Sequence, residues 1–147
     1  MVNPGELDLL GRLALALAAG AVIGWNREAE GKAAGLRTYM LTTLGSAFFV
    51  LIPLQFEELD LNALSRTIQG VATGVGFLGA GEIVYQSRED SRSKPLVKGL
   101  TSAAAIWSAA ALGVAAGCGL WQLCLLGTFL VWLILSLGKW AEHRIWR

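Results

Sequence analysis

One acidic residue, Glu82, stands alone in a long apolar stretch of this sequence. Residues 67–85 contain no other charged side chain. Placing an ionised carboxylate inside a membrane span costs free energy. Such a residue therefore marks either an ion site or a salt bridge that fixes the order of helices. Arg37 and Lys98 are the expected salt-bridge partners. The predicted inner polar cluster, named for the cytoplasmic side assigned below, contains Glu82, Arg37, Thr38, Lys98, Thr101 and Ser102.

A second polar set lies near the start of the first and third apolar stretches. Asp8 and Arg12 are four residues apart with the acid first, the favourable order for an ion pair on a helix. Arg12 would lie roughly 7 Å inside the first stretch, at a rise of about 1.5 Å per residue, so it must be paired or reach outward. Arg66 and Gln69 are its expected further partners. These four residues form the predicted outer polar cluster, either a structural ion pair or part of an ion path.

No residue pattern typical of an enzyme accompanies these clusters. His143 is the only histidine and stands between Glu142 and Arg144, which indicates a surface position. Cys118 and Cys124 are separated by about 240° around a helix and therefore do not share a face. The sequence has no phosphate-binding loop, nucleophile elbow or zinc-ligand spacing. We predict no catalytic residues and no resident cofactor, with Mg²⁺ as the one ion to consider.

The composition indicates a membrane protein. The chain has 147 residues, of which 54% are hydrophobic and 16% are charged, whereas soluble domains carry about 25% charged residues. The mean hydropathy is +0.54. The net charge of +1 leaves no basic excess for nucleic acid, and the high apolar content excludes disorder. We therefore expect the lipid bilayer to be the main partner.

Five apolar stretches are each close to the length of one membrane span. Between Gly99 and Gly138 there is no charged residue, and one helix over that distance would be about 60 Å long, twice the hydrocarbon core. The chain must therefore turn back, and Gly117-Cys118-Gly119 is the expected turn. We predict a single-domain, all-α integral membrane protein, a compact bundle of five transmembrane helices. The predicted spans are residues 9–25, 39–56, 67–85, 100–117 and 120–138.

The basic residues predict the orientation of these spans. Loops 26–38 and 86–99 and the tail 139–147 together hold ten of the 12 Lys and Arg residues. The positive-inside rule then places these three regions in the cytoplasm and the N-terminus outside. The first of these loops is predicted to be a solvated connection. The second is predicted to be exposed and disordered, with docking to anionic lipid or a soluble partner as the alternative.

Glycines at helical spacing predict close contacts between helices. Pairs of glycines four residues apart remove side chains from one face of a helix and allow backbones to approach. Residues 70–81 are unusually rich in glycine, which indicates either tight packing or a helix broken near a site. The predicted packing glycines are Gly20, Gly24, Gly70, Gly74, Gly76, Gly79, Gly81, Gly113 and Gly117.

Several short motifs, in order along the chain, resemble the MgtC/SapB family over about residues 9–119. The motifs are GAVIG at 20–24 followed by Arg27-Glu28, AGLRT at 34–38, GFLGAG at 76–81, and VKGLT at 97–101 with Trp107. The resemblance implies a multi-pass protein of the bacterial inner membrane, linked to magnesium limitation and stress adaptation. The virulence-associated branch of that family is also linked to restraint of the ATP synthase, which implies a membrane-protein partner.

The chain departs from the family pattern at identifiable positions. Asn26 stands where the family usually has an acid in Gly-x-Glu-Arg, and Lys98 stands where Arg is typical. The virulence branch carries an additional cytosolic C-terminal domain. Because this sequence continues only about ten residues past the fifth span, the resemblance is to the short branch.

Two functions follow as alternatives. The abundance of small-residue faces favours an accessory or regulatory protein acting through helix–helix contacts. The alternative is an oligomeric transporter of Mg²⁺ or another cation that uses Glu82, because Mg²⁺ binds one or two carboxylates while keeping several waters. One carboxylate per chain is few for such a path, but a homo-oligomer, which we expect, would multiply it.

Overall fold

The computed structural model describes residues 5–56, 60–89 and 98–145, with side chains up to residue 85 in the third helix and residue 137 in the last. These residues form five α-helices and contain no strand, which confirms the all-α prediction for the described part of the chain. The helices are α1 (Glu6–Ala29), α2 (Leu36–Leu54), α3 (Leu61–Glu89), α4 (Leu100–Gly117) and α5 (Trp121–Ile145).

Helix α4 is the centre of the bundle. It packs against all four other helices, whereas α1 lies between α2 and α5, and α2 lies between α1 and α3. Within the described ranges, no contact joins α3 to α1 or to α5. The buried face of α4 includes Ala105, Ala109 and Ala116, and these small side chains let four neighbours approach one helix.

Helices α1 and α2 approach closely through two glycines. A Cβ atom added to Gly20 would lie 2.8 Å from the Cα atom of Met40, and one added to Gly24 would lie 2.7 Å from the Cα atom of Leu36. Both distances are shorter than side chains tolerate, and both neighbours are backbone atoms. Any larger residue at these two positions would therefore separate α1 from α2.

The same face of α2 meets α4 in the same way. A Cβ atom on Gly113 would overlap the backbone carbonyl of Thr43, and one on Gly117 would lie 2.9 Å from the Cα atom of Ala47. Along this face α2 therefore contacts two glycine pairs, one from α1 and one from α4.

The glycines of α3 behave differently, and the broken helix that the sequence left open as one alternative is wrong. Helix α3 is continuous from Leu61 to Glu89, so the segment is not a broken helix. Gly79 lies against α4, where an added Cβ would be 3.2 Å from the Cβ of Ala103. Four α3 glycines have nothing within 4 Å of an added Cβ and so make no close packing contact inside this chain: Gly70, Gly74, Gly76 and Gly81.

The turn between α4 and α5 forms where the sequence predicts it. Helix α4 ends at Gly117, and Gly119 adopts a positive φ of 78°. Its N–H donates to the carbonyl of Ala116, and the N–H of Leu120 donates to the carbonyl of Ala115 at 2.9 Å. These bonds satisfy carbonyl groups at the end of α4 and reverse the chain within three residues.

The outer surface of the bundle is strongly apolar. Phe77 is 81% exposed and Trp25 is 70% exposed, among many large hydrophobic side chains on the surface. Three helices, α1, α2 and α4, are long and apolar enough to cross a membrane, and the apolar part of α5, Trp121–Leu137, is shorter. Helix α3 is not among these, because its glycines and polar residues lower its hydropathy. The span count of five and the orientation therefore stay predictions.

Candidate functional site

Arg27 is a buried cation at the end of α1. Only 3% of the residue is exposed. Its Nη1 donates to Glu30 Oε2 at 2.7 Å, and its Nη2 donates to Ser102 Oγ at 3.1 Å. Ser102 is 2% exposed and lies in the first turn of α4. The guanidinium therefore joins α1 to the central helix through a buried, charge-assisted hydrogen bond.

Tyr39 brings a second helix to the same place. Its side chain is fully buried, and its hydroxyl donates to the backbone carbonyl of Ser102 at 3.5 Å. The phenol lies within electrostatic reach of Arg27 and of Glu82 on α3. Three helices, α1, α2 and α4, thus meet at this place. We call Arg27, Glu30, Tyr39 and Ser102 the Arg27 cluster.

Two polar atoms in and beside this cluster lack partners among the described residues. Arg27 Nε and Asn26 Oδ1 are both buried, and neither makes a hydrogen bond within that part of the chain. The first is a donor and the second an acceptor, so each carries the desolvation cost of an unsatisfied group. Asn26 is also the position where the chain departs from the acid of the family pattern.

The chemistry of the Arg27 cluster is that of a fixed charge. A guanidinium does not lose its proton in proteins, so Arg27 cannot relay protons, and it repels any cation that approaches. Its charge is compensated by the Glu30 carboxylate, whose side chain is 11% exposed. The arrangement joins α1 to α4 through a paired, buried charge.

The predicted inner polar cluster is only partly brought together. Ser102 joins the Arg27 cluster, and Glu82 is half-buried and faces the region of Tyr39. Thr38 is half-buried and its carbonyl accepts a hydrogen bond from Thr42 Oγ1 at 2.8 Å. The side chains that remain exposed are Arg37, Lys98 and Thr101. A salt bridge from Glu82 to Arg37 or Lys98 stays a prediction.

The prediction that the first basic loop is a solvated connection is wrong for Arg27, although Lys32 is exposed. Helix α1 continues to Ala29, which carries Arg27 into the bundle. Glu28 is exposed, but its Oε2 accepts the N–H of Leu36 at 2.8 Å and so caps the start of α2. The i, i+3 spacing of Arg27 and Glu30 was the available signal, because that spacing favours pairing on one helix face.

The outer set contains the predicted ion pair together with an unexpected helix cap. Arg12 Nε contacts Asp8 Oδ2 at 2.8 Å, and Arg12 Nη1 donates to the carbonyl of Gly117 at 3.0 Å. The guanidinium also lies against Gly119, 3.0 Å from the position of an added Cβ. Arg12 therefore places positive charge at the C-terminus of α4, where the helix dipole is negative.

Arg66 and Gln69 do not join Arg12, which corrects the predicted outer polar cluster. Arg66 Nη2 lies 3.5 Å from Asp60 Oδ2, and Gln69 Nε2 lies 3.4 Å from Ser65 Oγ. Both residues are on α3 and both are exposed. The reason is the lateral order of the helices, because α1 and α3 are not neighbours.

The described part of the chain consists of helices whose outer surface is apolar, and this combination is typical of membrane proteins. The chain is an all-helical membrane protein. The sequence profile of the MgtC family matches residues 13–144. The chain therefore belongs to the MgtC family.

Individual relatives agree with this assignment. The chain is similar to Protein SrpB of Synechococcus elongatus, 53% identical over 145 residues, which cover 95% of this chain and 80% of that protein. It is 38% identical over 141 residues to the putative magnesium transporter YhiD of Escherichia coli, covering 91% of this chain and 62% of YhiD. It is 32% identical over 145 residues to Protein MgtC of Salmonella typhimurium, covering 99% of this chain and 57% of that protein.

The matched region is thus most of SrpB but only about three fifths of YhiD and of MgtC. No solved structure matches the chain.

Proposed function

We propose that this chain is a multi-pass protein of the bacterial inner membrane that acts in adaptation to magnesium limitation as an accessory or regulatory protein. It works through helix contacts with a membrane-protein partner rather than by conducting ions. The names of relatives such as the putative magnesium transporter YhiD and MgtC supply the link to magnesium.

The observation that carries the accessory role is the burial of Arg27. This cation is 3% exposed and lies among the ends of α1, α2 and α4. The charge of Arg27 is paired with Glu30 at 2.7 Å and held by Ser102, so the polar groups at this end join helices to one another instead of lining a path for ions. Among the residues the structure describes, no three His, Cys, Asp or Glu side chains are grouped as metal ligands.

The proposed orientation has the N-terminus outside and five spans. It is supported by the positions of the two ends of the bundle. Arg27, Leu36 and Ser102 lie together at one end, and Arg12 and Gly117 lie together at the other. The starts of α2 and α4, which follow the two basic loops in the sequence, therefore lie at one end of the bundle, and this supports one cytoplasmic face under the positive-inside rule. Reporter tags on the two termini should be found in opposite compartments.

The second candidate function is oligomeric transport of Mg²⁺ or another cation through Glu82. It is favoured by the name of the relative YhiD, a putative magnesium transporter, and by the half-buried Glu82 carboxylate on α3, which lies within electrostatic reach of Tyr39. Symmetry in an oligomer would bring several copies of Glu82 together, and oxygen ligands with retained water suit Mg²⁺.

Magnesium flux into liposomes that contain only this protein separates the two functions. The accessory role expects flux equal to that of empty liposomes, together with restored growth of a magnesium-limited deletion strain. Flux that is lost in Glu82→Gln and kept in the exposed control Glu6→Gln would establish transport instead. A folded, membrane-inserted protein that fails to restore growth would contradict the magnesium link.

A further inference from the structure

A groove of about 570 Å³ opens between α2 and α3 on the outside of the bundle. Gly45 and Ser46 line it from α2, and Gly70 and Gly74 line it from α3. These residues lie near the middle of helices that run over residues 36–54 and 61–89. In a membrane-spanning arrangement the groove therefore lies at the depth of the hydrocarbon core.

The glycines of this groove lack the neighbour that the other glycine pairs have. A Cβ atom added to Gly45, Gly70 or Gly74 would have nothing within 4 Å. In contrast, Gly20 and Gly113, which belong to pairs of the same spacing, lie directly against the backbone of α2. The groove therefore has room for the close approach of another helix.

Ser46 indicates independently that the occupant of this groove carries a polar group. The residue is only 4% exposed, lines the groove, and its hydroxyl makes no hydrogen bond within the described residues. The other hydroxyls of the groove are satisfied, because Thr42 donates to the Thr38 carbonyl and Thr67 donates to the Ala63 carbonyl. An acyl chain carries no polar atom at this depth, so lipid would leave Ser46 unsatisfied.

The exposed face of α3 beside the groove carries matching polar groups. Gln69 and Thr73 are exposed, and Phe77 is 81% exposed. Among the described residues, the side chain of Gln69 makes one hydrogen bond, the long 3.4 Å contact from Nε2 to Ser65 Oγ, which leaves the side-chain oxygen Oε1 available. An amide is both donor and acceptor, so two copies of Gln69 at one depth can pair with each other.

The charges at the start of α3 are also self-complementary. Asp60 and Arg66 are both more than half exposed and carry opposite signs at the same end of the helix. Two parallel copies would bring Arg66 of one beside Asp60 of the other. By symmetry, a second copy of this chain supplies polar groups both at the level of Gln69 and at the level of Asp60 and Arg66.

From these observations we propose that α3 binds α3 of a second copy of this chain, parallel and about a two-fold axis, with its exposed face against the α2–α3 groove. The glycines allow close approach, and Ser46, Gln69 and Thr73 form hydrogen bonds across the interface. This interface goes beyond the proposed physiological role, and its test does not depend on magnesium.

Native mass spectrometry of the full chain released from nanodiscs tests the proposal. The wild type should be a dimer, and Gly74→Leu should lose the dimer because leucine fills the space that the second helix needs. Gly11→Leu is the matched control, since it is the same substitution in open space on α1, which does not contact α3 in the described residues. It should remain a dimer. An unchanged thermal unfolding midpoint in Gly74→Leu would show that the monomer folds.

Cross-linking in native membranes supplies a second measurement. With Cys118 and Cys124 replaced by Ser and Ala, Thr73→Cys should form a disulfide-linked dimer on mild oxidation, and Trp132→Cys on α5 should not. A monomeric wild type with co-purified lipid would overturn the proposal in favour of a lipid site. A dimer that survives Gly74→Leu, or one that cross-links through α5 only, would also overturn it.

Discussion

The Nη2 atom of Arg27 donates a hydrogen bond to Ser102 Oγ at 3.1 Å, and this contact joins the last turn of α1 to the first turn of α4. The two residues are 75 positions apart in the chain, and both are almost fully buried. Because Tyr39 reaches the backbone of the same serine, the contact ties three helices together at one end. Charge, rather than apolar packing alone, thus fixes this end of the bundle.

Replacing Arg27 should destabilise the protein strongly. Arg27→Leu leaves Glu30 as an unpaired carboxylate that is 11% exposed, and breaking a buried ion pair from one side costs about 3–5 kcal/mol. We expect this loss in the free energy of unfolding in detergent micelles.

The double variant Arg27→Leu with Glu30→Leu is the informative control. Removing both charges should recover much of the lost stability, because the desolvation cost disappears with the pair. If Arg27→Leu alone were as stable as the wild type, Arg27 would not act as a structural cation.

A methyl group on Gly113 should prevent α4 from packing on α2. The added Cβ of Gly113→Ala would overlap the Thr43 carbonyl, which is backbone and cannot rotate away. Overpacking of a core costs about 1–3 kcal/mol, and a backbone clash belongs at the upper end. Gly76→Ala, which meets nothing within 4 Å, should show no loss of thermal stability. Equal stability of the two variants would contradict the observed α2–α4 contact.

Arg12 should stabilise the opposite end of the bundle. Arg12→Leu removes the Asp8 pair and the hydrogen bond to the Gly117 carbonyl at the end of α4. A cation at a helix C-terminus contributes up to about 2 kcal/mol when partly buried. Arg37→Leu is the matched control, since Arg37 is an exposed arginine, and such surface changes stay within about 0.5 kcal/mol. Chemical unfolding of both variants measures the difference, and a larger effect at Arg37 would contradict it.

The start of α3 should loosen in acid. The N–H of Asn62 donates to Asp60 Oδ1 at 2.8 Å, and this bond is the main reason that the pKa of Asp60 lies below its ordinary value of 3.8. A lowered pKa means that the ionised carboxylate stabilises the folded state above pH 3.8, and that this contribution is lost as the pH falls through the folded-state pKa.

Hydrogen exchange at the Asn62 amide measures this effect. Protection should fall on acidification in the wild type and should already be low in Asp60→Ala at neutral pH. The exposed control Asp8→Ala should leave this amide unchanged. Exchange at Asn62 that does not respond to Asp60→Ala would show that Asp60 is not the cap.

Features that depend on neighbours along the chain were predictable from the sequence. The five helices, the turn at Gly117-Cys118-Gly119 and the Asp8–Arg12 pair all depend on residues a few positions apart. Apolar length, glycine backbone freedom and the i, i+4 spacing act locally, so they can be read before any fold is known.

The tertiary structure alone decided which helices became neighbours. The glycine pairs on α1, α3 and α4 have identical spacing, yet only those of α1 and α4 meet α2, while Gly70 and Gly74 remain open. The same lateral order keeps Arg66 away from Arg12 and buries Arg27 against Ser102. The physical reason is that side-by-side packing depends on the fit of whole helix surfaces summed over the bundle, and no short stretch of sequence contains that sum.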